Sequence, residues 1–509
     1  MTHLKRLLSR SAESVRKDML VYFILSAIVL IAFVIRVTYA AGNPTLDDAF
    51  ISFRYVRNLA HGLGFVYNPG ERILGTTTPL YVLLLTPFAV AGVDIVSVGK
   101  IINIFASTAG VLMVFLIARR AFGNWPAIFA AMLMAISTNN VWAASTGMET
   151  ELNVLILLFM IYVYLSRRYR LAAVLAAVAL VTRPDDLILV SVVFTWQFAK
   201  VIFKKAHYTS FVRPLAIFVL CLLPWLIFAM LYFGSPLPSS IIGKAASYRV
   251  PVAENFITYL GQYGFTLDTP RALGTTALFV LGVISILRRR DDLLILLAYF
   301  LLYSTAFIVS GARLGSGWYW QPMWPMHSII VAGGFSFVGE FSEASWIRPM
   351  FVRFRTLIAV GVVLIVAIVW AGALKARFID PRPPDDLMWA ELEAAGRWIN
   401  QNTAPTATVG LETIGTVGWY SNRYIIDEGG LVSPQVTTIN ERLGKPDFFK
   451  ILQTFHPDYY LAWIHGELDI VNSVPAQEEW FAAHYRPIGT FDVGANREPY
   501  FMLFKKMAN

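Results

Sequence analysis

Apolar positions in this chain gather into long unbroken runs, and only its last quarter shows the short alternations of a water-facing domain. The first run covers residues 20–41, and others lie near 95–118, 125–142, 150–166, 170–182, 186–203, 214–232, 272–287, 293–310, 320–338 and 356–375. A helix rises about 1.5 Å per residue, so about 20 apolar residues cross the roughly 30 Å hydrocarbon layer. The pattern therefore predicts a polytopic α-helical membrane protein with about eleven transmembrane helices, the 170–182 span being the shortest. Residues 20–41 exceed the roughly 7–15 apolar residues of a signal-peptide core, and Lys5, Arg6, Arg10, Arg16 and Lys17 precede them. They read as a retained anchor with the N-terminus in the cytoplasm.

From residue 376 onward no run is long enough to span. The periodicity predicts a soluble α/β domain over 376–509, with helices at 386–401 and 446–455 and strands at 407–412, 423–428, 458–463, 487–493 and 499–506. The expected division is a catalytic membrane domain over 1–375, including a long loop over 42–94, followed by this extracytoplasmic domain. Residues 78–93 are apolar but ambiguous, and charge decides how they are read. If they do not cross, Arg119/Arg120, Arg167/Arg168/Arg170, Lys200/Lys204/Lys205/Arg213, Arg288–Arg290 and Arg348/Arg353/Arg355 all face the cytoplasm. With the N-terminal five these make 20 of the 31 basic residues before position 376, whereas a crossing would move fifteen of the twenty outside. Residues 78–93 are accordingly placed at the outer surface.

Composition agrees with this picture. The chain is 57% hydrophobic and only 15% charged, with a mean hydropathy of +0.58, against about 25% charged residues in soluble proteins. The net charge of +9 divides into +15 for residues 1–375 and −6 for 376–509. It is a topology signal and does not indicate nucleic-acid binding. The single cysteine, Cys221, excludes a disulfide framework and a cysteine metal site. No nucleotide-binding glycine fingerprint or P-loop is present. Chemistry must come from Asp, Glu, Arg, Lys and hydroxyl groups.

The stretch LDDAFISFRYVRNLAHGLGFVYNPGERILGTTTPLY, residues 46–81, holds the densest set of such groups. Phe50, Phe53, Val56 and Ala60 recur at helical spacing, with Asp47, Arg54 and Asn58 on the polar side, which predicts an amphipathic helix on the membrane surface. Its two opening acids read either as a helix cap or as a functional pair. Gly75, Thr76, Thr77 and Thr78 follow as a turn rich in donors. Elsewhere Glu149, and Arg183 with Asp185 and Asp186, lie between spans, where charges are costly unless paired or wet. His327 reads as a core histidine and Trp318, Trp320 and Trp324 as an aromatic belt. The stretch 410–434, with Asp427, Glu428 and the Gly429–Gly430 turn, reads as a strand-turn or as a carbohydrate contact.

Residues 46–81 resemble the first extracytoplasmic loop of the membrane-embedded GT-C glycosyltransferases, and within them the terminal arabinofuranosyltransferase branch. The match runs through Asp47, Asp48, Phe53, Arg54, Tyr55, Asn58, Leu59, Gly62, Gly64, Asn68, Pro69, Gly70 and Glu71. TGMETEL at 146–152, LVTRPDDL at 180–187 and YFGSPLPSSIIGKAASY at 232–248 are similar to further family segments. Departures occur at Leu74-Gly75-Thr76-Thr77, at Pro238-Ser239-Ser240 and at Trp318-Tyr319-Trp320-Gln321-Pro322, which touches sugar and acceptor identity. The resemblance implies transfer of a sugar, arabinofuranose or another pentose or hexose, from a polyprenyl-phosphate donor to an external glycan or lipid acceptor with inversion. It implies Asp47 as general base, preferred over Asp48 as its partner, and Lys244, Arg54, Arg313 and Arg183 as donor-phosphate ligands. Thr76, Thr77, Glu149, Tyr55 and Asn58 are then the sugar or acceptor contacts. A divalent cation, Mg or Mn, is a candidate cofactor, with no ligand set legible. A transporter or flippase for a lipid-linked sugar is the competing class, and would need ionisable groups along a midplane path; the spans offer Arg36 and His327. A receptor acting through its C-terminal domain is the third.

Overall fold

The computed structural model describes residues 2–247, 250–262, 265, 270–289, 291–311, 317–341, 384–443, 447–464, 475–491 and 498–507. Every expected span inside these limits coincides with helix. In chain order the elements are α1 (Thr2–Gly42), α2 (Asp47–Ala60), α3 (Pro79–Val90), α4 (Ile95–Phe122), α5 (Asn124–Ile136), α6 (Thr138–Ser145), α7 (Thr150–Leu165) and α8 (Tyr169–Thr182). They continue with α9 (Leu187–Ile202), α10 (Thr209–Phe233), α11 (Ser239–Ser247), α12 (Val252–Gln262), α13 (Pro270–Arg289), α14 (Leu294–Ser310) and α15 (Met323–Phe341). The expected span at 356–375 lies outside the described residues. Among the described residues four helices are long and apolar enough to cross a membrane alone: Met19–Gly42, Ile95–Phe122, Thr209–Phe233 and Ala272–Arg289. Helices α5 and α6 make a pair bent by 50°, and α7, α8 and α14 are shorter apolar helices.

The bend has an identifiable cause. The last carbonyls of a helix need partners, and the fully buried Arg36 of α1 donates to Ala135 O at 2.9 Å and Met134 O at 3.3 Å. Its Nε donates to Ser107 Oγ at 2.8 Å. An arginine inside the spans is thus satisfied by the backbone that the break releases. Helix α3 has 12 residues, about 18 Å of rise, too little to cross a bilayer.

The C-terminal part begins with α16 (Pro384–Asn402) and continues through β1 (Thr408–Leu411), α17 (Ile414–Ser421), β2 (Tyr424–Asp427), α18 (Pro434–Leu443) and α19 (Phe448–Phe455). It ends with β3 (Tyr459–Trp463), α20 (Pro475–His484), β4 (Tyr485–Thr490) and β5 (Phe501–Lys506). The sheet order is β2-β1-β3-β5-β4. Strand β1 lies parallel to β2 and β3, with Gly410 opposite Ile426 and Tyr460, while β5 is antiparallel to β3 and β4.

One hydrophobic core joins this sheet to the first loop. Phe50, Phe53, Tyr55 and Val56 of α2 pack in the same cluster as Leu392, Val409, Val417, Ile425 and Leu503. The expectation that α2 turns its polar side to water is therefore corrected. Asp47, Arg54 and Asn58 are only 4%, 2% and 3% exposed, because α17 covers that side.

Candidate functional site

Helix α17 explains where the polar face of α2 goes. Its own N-cap residue, Thr413, makes no capping hydrogen bond, leaving first-turn N–H groups in need of an acceptor. Asp47 supplies it from another part of the chain. Its carboxylate accepts from Gly415 N at 2.9 Å and Thr416 N at 2.6 Å. Two turns further along α2, Arg54 donates to Gly418 O at 2.9 Å, Arg423 O at 2.6 Å, Tyr67 O at 2.9 Å and Asn68 Oδ1 at 3.2 Å. An acid thus meets the helix start and a base the helix end, the arrangement that the helix dipole favours. Burial pushes the Asp47 carboxyl up to about 7, against the two N–H groups and together with the neighbouring Asp48 charge.

Asp48 faces the other way. Its Oδ2 lies 3.2 Å from Lys244 Nζ on α11, and both side chains are partly exposed, at 26% and 33%. Burial works against the ammonium, but the Asp48 charge outweighs it and holds Lys244 above its ordinary value. The ammonium also sits 5.7 Å from the Trp318 ring centre. Arg183 acts on Lys244 electrostatically, and Tyr319 lies within reach of both, with the Arg183 guanidinium 6.0 Å from its ring centre.

Arg183 is anchored on its inner side. It pairs with Glu149 at 2.9 Å and with Asp185 at 3.0 Å, and Tyr303 donates to Asp185 Oδ2 at 2.9 Å. Burial raises the Glu149 carboxyl, with Arg183 opposing it. Burial likewise opposes the guanidinium, yet Asp185 and Glu149 together hold Arg183 well above its usual value. Tyr303 belongs to this network, and nothing in the sequence pointed to it, because it lies within an apolar run. Glu151 is a second omission: it is fully buried at the start of α7, within electrostatic reach of Arg36.

The predicted site residues thus separate into two groups. Asp48, Lys244, Arg183 and Glu149 come together at the loop end of the bundle. Asp47, Arg54, Tyr55 and Asn58 are engaged in local structure. Tyr55 donates to Ile73 O at 2.7 Å and accepts from Gly75 N at 2.8 Å. Asn58 donates to Val66 O at 2.9 Å and Tyr67 O at 2.8 Å. Arg54, Tyr55 and Asn58, expected as ligand contacts, support local structure here, with their polar atoms on groups of the loop or of the C-terminal part. Thr76 is buried in a hydroxyl cluster with Ser52 and Thr78, whereas Thr77 is half-buried. Arg313 lies outside the described residues. His327 is buried and stacked on Phe279 at 5.4 Å. Asp427 accepts from Gly429 N at 2.9 Å and Val432 N at 2.7 Å, and Glu428 accepts from Tyr460 Oη at 3.2 Å, which makes this stretch a braced strand-turn.

Asp47 and Asp48 turn their oxygens to different partners, the α17 amides on one side and Lys244 on the other. Among the described residues no three of His, Cys, Asp and Glu stand close enough to hold a metal ion.

Residues 385–504 match a family described only as a domain of unknown function (DUF8728), and no curated protein matches the sequence. Among solved structures, ArnT from Cupriavidus metallidurans bound to undecaprenyl phosphate is similar with a TM-score of 0.60 at 12% identity, over 94% of this chain and 97% of that one. The Archaeoglobus fulgidus oligosaccharyltransferase in complex with Zn and sulfate gives a TM-score of 0.58 at 13% identity, over 87% of this chain and 68% of that one. AglB from the same organism, in complex with an inhibitory peptide and a dolichol-phosphate, gives 0.54 at 14% identity, over 88% and 70%. The chain has the GT-C membrane fold. At the loop end of this bundle α2 carries Asp48, α11 carries Lys244 and the α8–α9 turn carries Arg183.

Proposed function

We propose that this protein is a membrane glycosyltransferase that moves a sugar from a polyprenyl-phosphate donor to a glycan or lipid acceptor on the extracytoplasmic side. The observation that carries the reading is the Asp48–Lys244 pair, 3.2 Å apart and open to solvent, beside Arg183. It supports the reading by pairing a carboxylate with an ammonium on a fold similar to that of proteins bound to undecaprenyl phosphate and dolichol-phosphate.

In the proposed step Lys244 exchanges Asp48 for the donor phosphate, and Arg183 adds positive charge from behind. The freed Asp48 carboxylate accepts a hydrogen bond from the acceptor hydroxyl. That oxygen attacks the anomeric carbon as the bond from that carbon to the phosphate oxygen breaks. The hydroxyl proton passes to Asp48, and polyprenyl phosphate leaves with both electrons of the broken bond, its charge met by Lys244 and Arg183. A single in-line displacement inverts the anomeric centre. Asp48 takes the role of base that the resemblance assigned to Asp47, because the Asp47 oxygens are occupied by Gly415 and Thr416. The likeness of residues 46–81 to the arabinofuranosyltransferase branch makes a pentofuranosyl donor the first to try.

The test is transfer by the purified protein in lipid nanodiscs from a polyprenyl-phosphoryl sugar to an oligosaccharide acceptor. Asp48→Asn should lower turnover by roughly 10²–10⁴-fold, the usual size of a general-base contribution. Lys244→Gln should raise the donor KM and lower kcat. Asp94→Asn, at the exposed start of α4, should leave both unchanged. Near-normal turnover by Asp48→Asn would sink the assignment.

A further inference from the structure

Resting on that reading, we infer that Asp47 is a positioning residue, and that by docking α17 the C-terminal part sets the position of Lys244 in the donor site. The contacts form a closed ring that begins and ends on the acidic pair. Asp47 and Arg54 grip α17, which leads directly into β2. At the end of β2, Asp427 braces the turn by accepting from Gly429 N and Val432 N. That turn meets α11: Ser239 Oγ donates to Leu431 O at 2.6 Å and to Leu74 O at 3.1 Å. One turn on, Gly243 lies so close that a Cβ there would sit 2.9 Å from Gly430 O. The next residue is Lys244, whose ammonium returns to Asp48.

The fit at α17 leaves no slack. Gly415 and Gly418 stand three apart on one helical face. A Cβ on Gly415 would run into the Asp47 carbonyl, and one on Gly418 into the Tyr67 hydroxyl and Arg54. Alanine is a better helix former than glycine, so these substitutions leave α17 itself intact and act on its seat. Their nearest neighbours are Asp47, Tyr67 and Arg54 rather than Lys244, and they have no place in the proposed chemistry. A misplacement of about 1 Å at a reacting group can cost about 100-fold in rate.

The experiment compares full-length wild type, Lys244→Gln, Gly415→Ala and the double variant Gly415→Ala/Gly418→Ala in nanodiscs. Binding of undecaprenyl phosphate is titrated, and amide hydrogen exchange is read over residues 414–421 and over the membrane helices. The expected result is that the double variant loses protection at Gly415 and Thr416, keeps it in the membrane helices, and weakens undecaprenyl phosphate binding at least tenfold, as Lys244→Gln does. If Lys244→Gln weakens binding while the undocked glycine variants bind as wild type, the positioning inference is overturned and the donor-site reading stands. If Lys244→Gln itself binds as wild type, the donor-site reading fails. Loss of protection throughout the membrane helices would also overturn the inference, since docking would then hold up the whole fold and not the position of Lys244 in particular.

Discussion

Two adjacent aspartates start α2 with the same chemistry, and their surroundings give them different work. Asp47 is 4% exposed and engages two backbone amides, whereas the Asp48 side chain is 26% exposed and faces an ammonium. The sequence shows that the pair is unusual, because so few acids precede residue 376, but it cannot rank the two. The ranking depends on Gly415 and Thr416, more than 360 residues away. Arg54, Tyr55 and Asn58 are engaged internally for the same reason: a polar face that looks free in sequence is covered by a partner that sequence does not place. The Asp47 environment predicts a pH dependence. Its carboxyl is raised to about 7, so between about 4 and 7 the folded state holds a proton that the unfolded chain releases. Stability from this group is full below about 4 and is lost as pH rises through 7. Asp427, raised to about 7 by burial against its own amide bonds, acts in the same direction. The thermal midpoint of the purified protein should fall between pH 5 and pH 8, and Asp47→Asn should flatten part of that slope. An unchanged slope in the variant would refute the account.

At the scale of elements, apolar length was a sound guide. Every predicted span within the described residues is helical, and α16, α19 and all five strands lie within a few residues of their predicted positions. The misses are short helices in the C-terminal part. The segment IGTVGWYS of α17 carries two glycines and two β-branched residues after its first position, a poor helix former alone. It is helical because Asp47 caps it and Val417 packs against the α2 face. The break between α5 and α6 was also invisible, since 125–142 reads as one run. Its cause, Arg36, was visible only as an isolated charge in α1. Replacing it tests the explanation. Arg36→Leu leaves the Met134 and Ala135 carbonyls without their donors, at a cost of about 1–3 kcal/mol for each buried orphan. The variant should melt several degrees lower in detergent, with amide protection lost first around residues 134–140. A midpoint equal to wild type would mean that the bend holds without Arg36.

For the molecule as a whole, charge carries the information that hydrophobicity lacks. Apolar runs give spans but no direction, and the short α3 leaves the parity of crossings open in sequence. The basic clusters supply a prediction. Arg119 and Arg120 end α4, Arg167 and Arg168 separate α7 from α8, and Lys204 and Lys205 follow α9. All lie at the end of the bundle away from α2, α11 and α17. The positive-inside rule predicts that this end faces the cytoplasm and that the acidic C-terminal part, with its balance of −6, faces outward. That orientation is the one the proposed function requires, with the Asp48–Lys244 pair on the side of an external acceptor. A cysteine scan on a Cys221→Ser background checks it, since Cys221 is the chain's one cysteine. Arg120→Cys and Lys205→Cys, both at exposed positions, should react with an impermeant maleimide only after the cells are opened. Gln401→Cys, exposed at the end of α16, should react on intact cells, or on spheroplasts where an outer wall blocks the reagent. The reverse pattern would turn the site toward the cytoplasm and remove polyprenyl-phosphate sugars presented outside as donors. A crossing by α3 would flip all three positions together and give that same reverse pattern, whereas labelling of all three from one side would mean an even number of crossings between Lys205 and Gln401, and the spans after α9 would have to be redrawn.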